Sequence, residues 1–307
     1  MTLQTTRNDI INMALTLNGM KAISEDVDGD VLLLSAEILD DMVKEWQAAG
    51  AHLWTTLSAT LFLQKDQKEY TIGPGTTDNA TENFSETTTT AGSSTNLIPV
   101  VSTTGIVLND TVGIEQTNGF ISWQTVLAFS TTTITVGQSI SFSEDVRVYY
   151  YTTDLGRALE IPDARRFTQL QGQTDGQEIE VYQYSRIDYL QLPNKDTSGT
   201  PTQYYFQRLR ANGKIFIWPV PDNVDHRLEF TFYKPLDIFD DAADDADFPS
   251  EWLAALKYNL AVRTASAGAM QQRPDITAIA ASTFETVMGF DQEKTSILLT
   301  PTRTRTR

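Results

Sequence analysis

Residues 237–268 read DIFDDAADDADFPSEWLAALKYNLAVRTASAG. Six aspartates (Asp237, Asp240, Asp241, Asp244, Asp245 and Asp247) occupy the first eleven positions, and the run stops at Phe248-Pro249-Ser250-Glu251-Trp252. Ser250 is suited to accept from the first free N–H groups of a helix, and Glu251 suits the positive end of its dipole. Trp252, Leu256, Leu260 and Arg263 then fall on one stripe, broadened by Leu253 and Ala255. Ala254, Tyr258, Ala261 and Thr264 fall opposite. The spacing predicts an amphipathic helix of about five turns, at ~3.6 residues per turn, anchored by Trp252.

Upstream, residues 1–50 predict two more helices. Thr6 or Asn8 can cap the first, which carries Ile10, Ile11, Ala14 and Leu15 and stops at Asn18-Gly19. The acidic link 24–30 lacks the spacing of a calcium loop and has no closing Glu, so it reads as the lead into the second helix. That helix, Val31 to Ala49, places Leu32, Leu39, Met42, Val43 and Trp46 inward and stops at Gly50. His52 follows among apolar neighbours and reads as a packing residue.

The run FPSEWLAALKYNLAVRTA resembles the C-terminal helix of head-to-tail adaptor proteins of short-tailed bacteriophages, also called tail accessory factors or packaged-DNA stabilisation proteins. The N-terminal part is similar to the same family in three phrases: Ile11-x-x-Ala14-Leu15-x-x-x-Gly19, Trp46-x-x-x-Gly50 and Tyr70-x-Ile72-Gly73-x-Gly75. The resemblance covers roughly 1–75 and 155–290. Residues 76–154 depart from it as an insertion.

The chain has 307 residues and no cysteine, with 40% hydrophobic and 21% charged residues. Disulfides, thiolate metal sites and cysteine nucleophiles are therefore absent. No apolar run is long enough for a membrane span, and no secretory leader is legible. Net charge is −17. Proteins that grip DNA derive affinity from cations on phosphate, so this balance suits a solvated acidic protein or a surface that faces DNA without holding it.

From Glu69 to Val146 there is no Lys, Arg or His. Thr76–Asn96 is rich in Thr and Ser and reads as a loop or mobile hairpin. Short β runs follow at Ile98–Val101, Ile106–Leu108, Thr111–Ile114, Phe120–Phe129, Thr132–Val136 and Val146–Tyr151, with Asn118-Gly119 as a hairpin turn. Trp123 and Phe129 are its expected core. This small antiparallel module is read either as a docking platform or as decoration without a partner.

Residues 155–236 predict further strands, at Ile179–Tyr184, Thr202–Leu209, Lys214–Val220 and Leu228–Tyr233, with Asn212-Gly213 as a second hairpin turn and a helical turn at 185–190. Tyr182, Tyr184, Tyr189, Tyr204, Tyr205, Arg186, Arg208 and Arg210 give a composition typical of interfaces, or of ordinary sheet packing. A last helix is expected from about Ile276 to Met288. Beyond it, Ile297, Leu298 and Leu299 precede Arg303, Arg305 and Arg307, which alternate with threonine and share one side of an extended chain.

The expected fold class is α+β. An α-helical adaptor domain (1–75 and 155–290) would carry a β layer, an inserted small antiparallel β domain (76–154) and an extended C-terminal arm (291–307). The resemblance implies a structural virion protein at the head–tail junction, made in the host cytoplasm. It would form a dodecameric ring beneath a dodecameric portal, extend the DNA channel, help retain packaged DNA and offer a surface to the next tail component. Ile297, Leu298, Leu299, Arg303, Arg305 and Arg307 would then be the portal-binding arm, where the bland alternative is a frayed terminus. The six aspartates of 237–247 would lie at the channel or its rim, where the bland alternative is a solvated loop. Trp46, Trp252, Leu256 and Leu260 are expected to pack the helices. Tailspikes or fibres could meet the insertion.

No metal-ligand spacing, nucleotide loop or nucleophile motif is present, and neither His52 nor His226 has a partner in such a motif. No cofactor, catalytic residue or metal is expected. A peptidoglycan hydrolase needs only two suitably spaced carboxylates, so it stays open beside a receptor-binding β protein.

Overall fold

The computed structural model describes residues 5–23, 25–51, 55–75, 77–169, 176–236, 241 and 248–290. It is a mixed α+β structure in which strands predominate. The chain divides into two compact units, Thr56–Pro235 and the pair of segments Met1–Thr55 and Leu236–Arg307.

Helix α1 (Arg7–Asn18) starts from a capping box in which the Thr6 side chain accepts from Asp9 N while Asp9 accepts from Thr6 N. It ends at Gly19, whose φ of 83° is the left-handed conformation that glycine adopts without a Cβ penalty. Helix α2 (Gly29–Ala48) begins two residues earlier than the sequence predicts. Asp28 caps it by accepting from Asp30 N, so the acidic link terminates as a helix cap.

The strand-rich unit opens with β1 (Thr56–Phe62), β2 (Glu69–Ile72) and β3 (Ala80–Thr81). The insertion follows as β4 (Ser85–Thr88), β5 (Ser93–Pro99), β6 (Thr111–Glu115), β7 (Ile121–Thr125), β8 (Ala128–Phe129), β9 (Thr133–Phe142) and β10 (Arg147–Tyr151). The chain then supplies β11 (Asp163–Thr168), β12 (Gln177–Gln183), helix α3 (Arg186–Gln191), β13 (Gln203–Arg208), β14 (Gly213–Trp218) and β15 (His226–Tyr233).

One eight-stranded sheet runs β2-β14-β13-β12-β11-β15-β1-β3, so it combines strands from both sides of the insertion. The insertion itself has a four-stranded sheet, β4-β10-β6-β7, and a three-stranded sheet, β5-β9-β8. Ile98, Val112, Ile114, Ile134, Val136, Val148 and Tyr150 form the core between them. Strand β10 reads RVYYY and is buried throughout. Alternation explains this. Val148 and Tyr150 enter the insertion's own core, while Tyr149 and Tyr151 enter a second cluster with Phe62 of β1, Phe84, Ile121 and Trp123. Strand β10 is thus sandwiched between two cores.

Several expectations are corrected here. The stretch Thr76–Asn96, read as a loop or mobile hairpin, contains β3, β4 and the start of β5, which pair with β1, β10 and β9. Threonine there is fully compatible with burial once its hydroxyl is paired, as in Thr89, which donates to Ser143 O and accepts from Val146 N. Ile106–Leu108 forms no strand. The single strand expected over Phe120–Phe129 is broken into β7 and β8, which belong to different sheets, with buried Val126 at the crossing. Phe129 lies on the short edge strand and is 44% exposed, so it is not core.

The helical unit resumes with a 3₁₀ turn, Ser250–Trp252, then α4 (Leu253–Ala267) and α5 (Pro274–Phe290). Ser250 makes no side-chain cap, because the tight turn already receives the first N–H, with Trp252 N donating to Pro249 O. The buried face of α4 is wider than predicted. Ala261 and Thr264 are inside with Ala255, Leu256 and Leu260, while Arg263 turns outward to Glu45 at 2.8 Å.

Candidate functional site

The six arm residues, Ile297 to Arg307, lie outside the described residues, as do Asp237, Asp240, Asp244, Asp245 and Asp247. Asp241 is described and exposed. Trp46, Trp252, Leu256 and Leu260 converge in the core of the helical unit, each at most 3% exposed. The Trp46 ring lies 5.6 Å from Trp252, 5.0 Å from Phe284 and 6.5 Å from Phe248. Asn18, at the end of α1, ties that helix to α4 by donating to Thr264 Oγ1 at 2.9 Å.

In the strand unit a buried cation, Arg147, ties the insertion to the segment leading into β15. Arg147 Nε stands 3.1 Å from Glu115 Oε1, and its Nη2 stands 3.1 Å from Asp225 Oδ1. Its Nη1 donates to the carbonyl of Gln169. Glu115 and Arg147 belong to β6 and β10, whereas Asp225 lies just before β15. A second arginine, Arg227 of β15, spreads its guanidinium 3.8 Å above the Phe167 ring and pairs with Glu229 at 3.0 Å. The sequence carries a signal for this fastening, namely that Arg147 is the first cation after Glu69.

Burial raises the Glu115 carboxyl to about 7 against the pull of Arg147. Asp225 and Glu115 also line an open polar cleft of about 430 Å³ with Lys65, Gln116, Thr117 and Asp222. Among the described residues, no three His, Asp or Glu side chains are arranged to hold a metal ion. His226 is buried, its Nδ1 3.0 Å from Thr168 Oγ1, and burial lowers its pKa. It is a packing residue of β15. No helix among the described residues is long and apolar enough to cross a membrane.

Large apolar side chains are exposed at several places among the described residues of this unit. Leu97, Val101, Val107, Leu108, Leu127 and Phe129 are exposed on the insertion. Ile179, Tyr182, Ile187 and Leu190 are exposed on β12 and α3. The tyrosines and arginines expected at an interface divide. Tyr204 and Tyr189 are buried, Tyr205 stacks on Phe216 at 5.6 Å, Arg208 pairs with Glu160, and Tyr182 remains outside at 62% exposure.

Residues 9–305 match the family model described as SU10 adaptor protein. The search of curated proteins finds no match to the chain.

Proposed function

The chain belongs to the SU10 adaptor protein family, and from that membership we propose that it is a structural component of a phage virion, joining head to tail. In this reading its copies form a dodecameric ring beneath the portal, extend the DNA channel, help retain packaged DNA and present a surface to the next tail component. The role is mechanical rather than catalytic. The observation that carries it is the breadth of the family match, which spans both compact units and the insertion.

The charge of −17 supports the channel part of the reading. A wall of carboxylates repels phosphate and lets DNA slide, where a basic wall would hold it. We assign the channel or rim role to Asp237, Asp240, Asp241, Asp244, Asp245 and Asp247. The apolar residues Ile297, Leu298 and Leu299, with Arg303, Arg305 and Arg307, form the arm that attaches to the portal, through strand addition or arginine–carboxylate pairs. The exposed apolar side chains of the insertion suit tail fibres or tailspikes.

The test is the mass of the complex formed with the cognate portal ring, for the full chain and for a chain ending at Gly289. Addition of about one copy per portal subunit by the full chain alone supports ring and arm together. Binding by neither chain overturns the adaptor reading.

A further inference from the structure

Among the described residues, one backbone edge of strand β12 is paired along only part of its length. On one side β11 pairs with all of Gln177–Val181, from Gln177↔Thr168 to Val181↔Ala164. On the other side β13 joins only at Tyr182 and Gln183, running parallel. The carbonyl of Thr202 still accepts from Tyr182 N, but the chain before it turns away, since Ser198 bridges to Val220 and Gly199 N donates to Val220 O. Among the described residues, Gln177–Val181 therefore has no backbone partner on its outer side. Such an edge is a template for another strand.

The side chains beside that edge define what would fit. Residues two apart share a strand face, so Glu178, Glu180 and Tyr182 lie on one face, and all three are exposed. Arg165 of β11 is the registered partner of Glu180 and stands 3.5 Å from the Glu178 carboxylate. On the open side the face reads acid, acid, aromatic. The fitting occupant is a strand with cations at every second residue. Arg303, Arg305 and Arg307 have that spacing, with β-favouring threonine between them. Arginine also stacks well on an exposed tyrosine face. Seventeen residues follow Phe290 (307 − 290), and at ~3.3 Å per residue they span roughly 55 Å, enough to reach another molecule.

We propose that the open edge of β12 receives the Thr302–Arg307 strand of a second copy of this chain, with its arginines set against Glu178, Glu180 and Tyr182. The proposal rests on the arm of the reading above and adds its partner in the absence of the portal. Copies would associate through these strands, and the portal would then withdraw the arm from β12.

Sedimentation equilibrium of the full chain without portal, in low and high salt, tests this. The expected result is concentration-dependent association that weakens at least tenfold in high salt, since exposed ion pairs are screened. Glu178→Lys with Glu180→Lys should abolish it, as should Arg303→Glu, Arg305→Glu and Arg307→Glu together. The chain carrying all five changes should associate again, and an equal mixture of the two charge-reversed chains should form heterodimers. A parent that is monomeric at every concentration, with the arm on its own edge or on none, overturns the proposal. Association indifferent to both sets of reversals overturns it too. Portal attachment by the Glu178→Lys, Glu180→Lys chain separates the two readings, because that chain keeps its arm intact.

Discussion

The guanidinium of Arg147 reaches Asp225 at 3.1 Å, so a residue of the insertion is ion-paired to the residue that leads into β15 of the large sheet. Glu115 competes for the same cation from the insertion side. Removing one partner from a buried set leaves the others charged and uncompensated, at a cost of about 3–5 kcal/mol. Arg147→Ala should destabilise the strand unit by that amount in denaturant unfolding. Arg147→Lys should recover only part of it, since a lysine cannot span Glu115, Asp225 and the Gln169 carbonyl together.

The pH dependence of Glu115 has a definite sign. Its folded pKa is raised from 4.5 to about 7, with burial as the largest cause. Its contribution to stability is therefore full below the unfolded pKa and is lost as pH rises through the folded one. At ~1.4 kcal/mol per unit the loss is on the order of 3 kcal/mol. Between pH 5 and pH 8 the parent should lose melting temperature relative to Glu115→Gln. Parallel curves for the two proteins would contradict the assignment.

Trp123 lies across Gly113, its registered partner on the neighbouring strand. A Cβ placed at Gly113 would stand 2.5 Å from the indole ring. Gly113→Ala must displace Trp123 from the cluster it shares with Phe62 and Tyr151, and overpacking of this kind costs about 1–3 kcal/mol. Loss of near-ultraviolet circular dichroism with unchanged far-ultraviolet signal is the expected signature.

In the helical unit, Trp46→Ala should cost about 3–5 kcal/mol, because three aromatic neighbours close on that ring and cannot refill its volume. Asn18→Ala should cost about 1 kcal/mol by removing the buried bond to Thr264 Oγ1, while Met20 N keeps Leu15 O as its acceptor. Urea unfolding of each variant checks both.

The Asn118-Gly119 hairpin was legible in the sequence, since β6 and β7 turn there with Gly119 at a φ of 79°. The one expected at Asn212-Gly213 turns earlier, at Arg210-Ala211, because Gly213 is already paired with Arg208. Helices α1, α2 and α4 were legible too, because their apolar stripes carry their own period. What escaped were elements whose character comes from their neighbours. Strand β4 is Ser-Glu-Thr-Thr and has no apolar signal, yet β10 supplies its pairing partner. Strand β10 looks like one half-buried strand and is buried twice over, because β1 covers its second face. The Arg147 cluster joins residues 115, 147, 169 and 225, a set with no common motif. Its only trace was the long cation-free run that ends at Arg147.

That same run has a consequence for proteolysis. Trypsin cuts after lysine and arginine, and none occurs from Glu69 to Val146. The one cation that follows, Arg147, is 6% exposed inside the strand unit. In the folded protein, then, digestion that begins after Lys68 meets no accessible site until Arg157. The insertion should leave a tryptic digest as one large acidic fragment, Glu69–Arg157, and unfolding should shorten it to Glu69–Arg147.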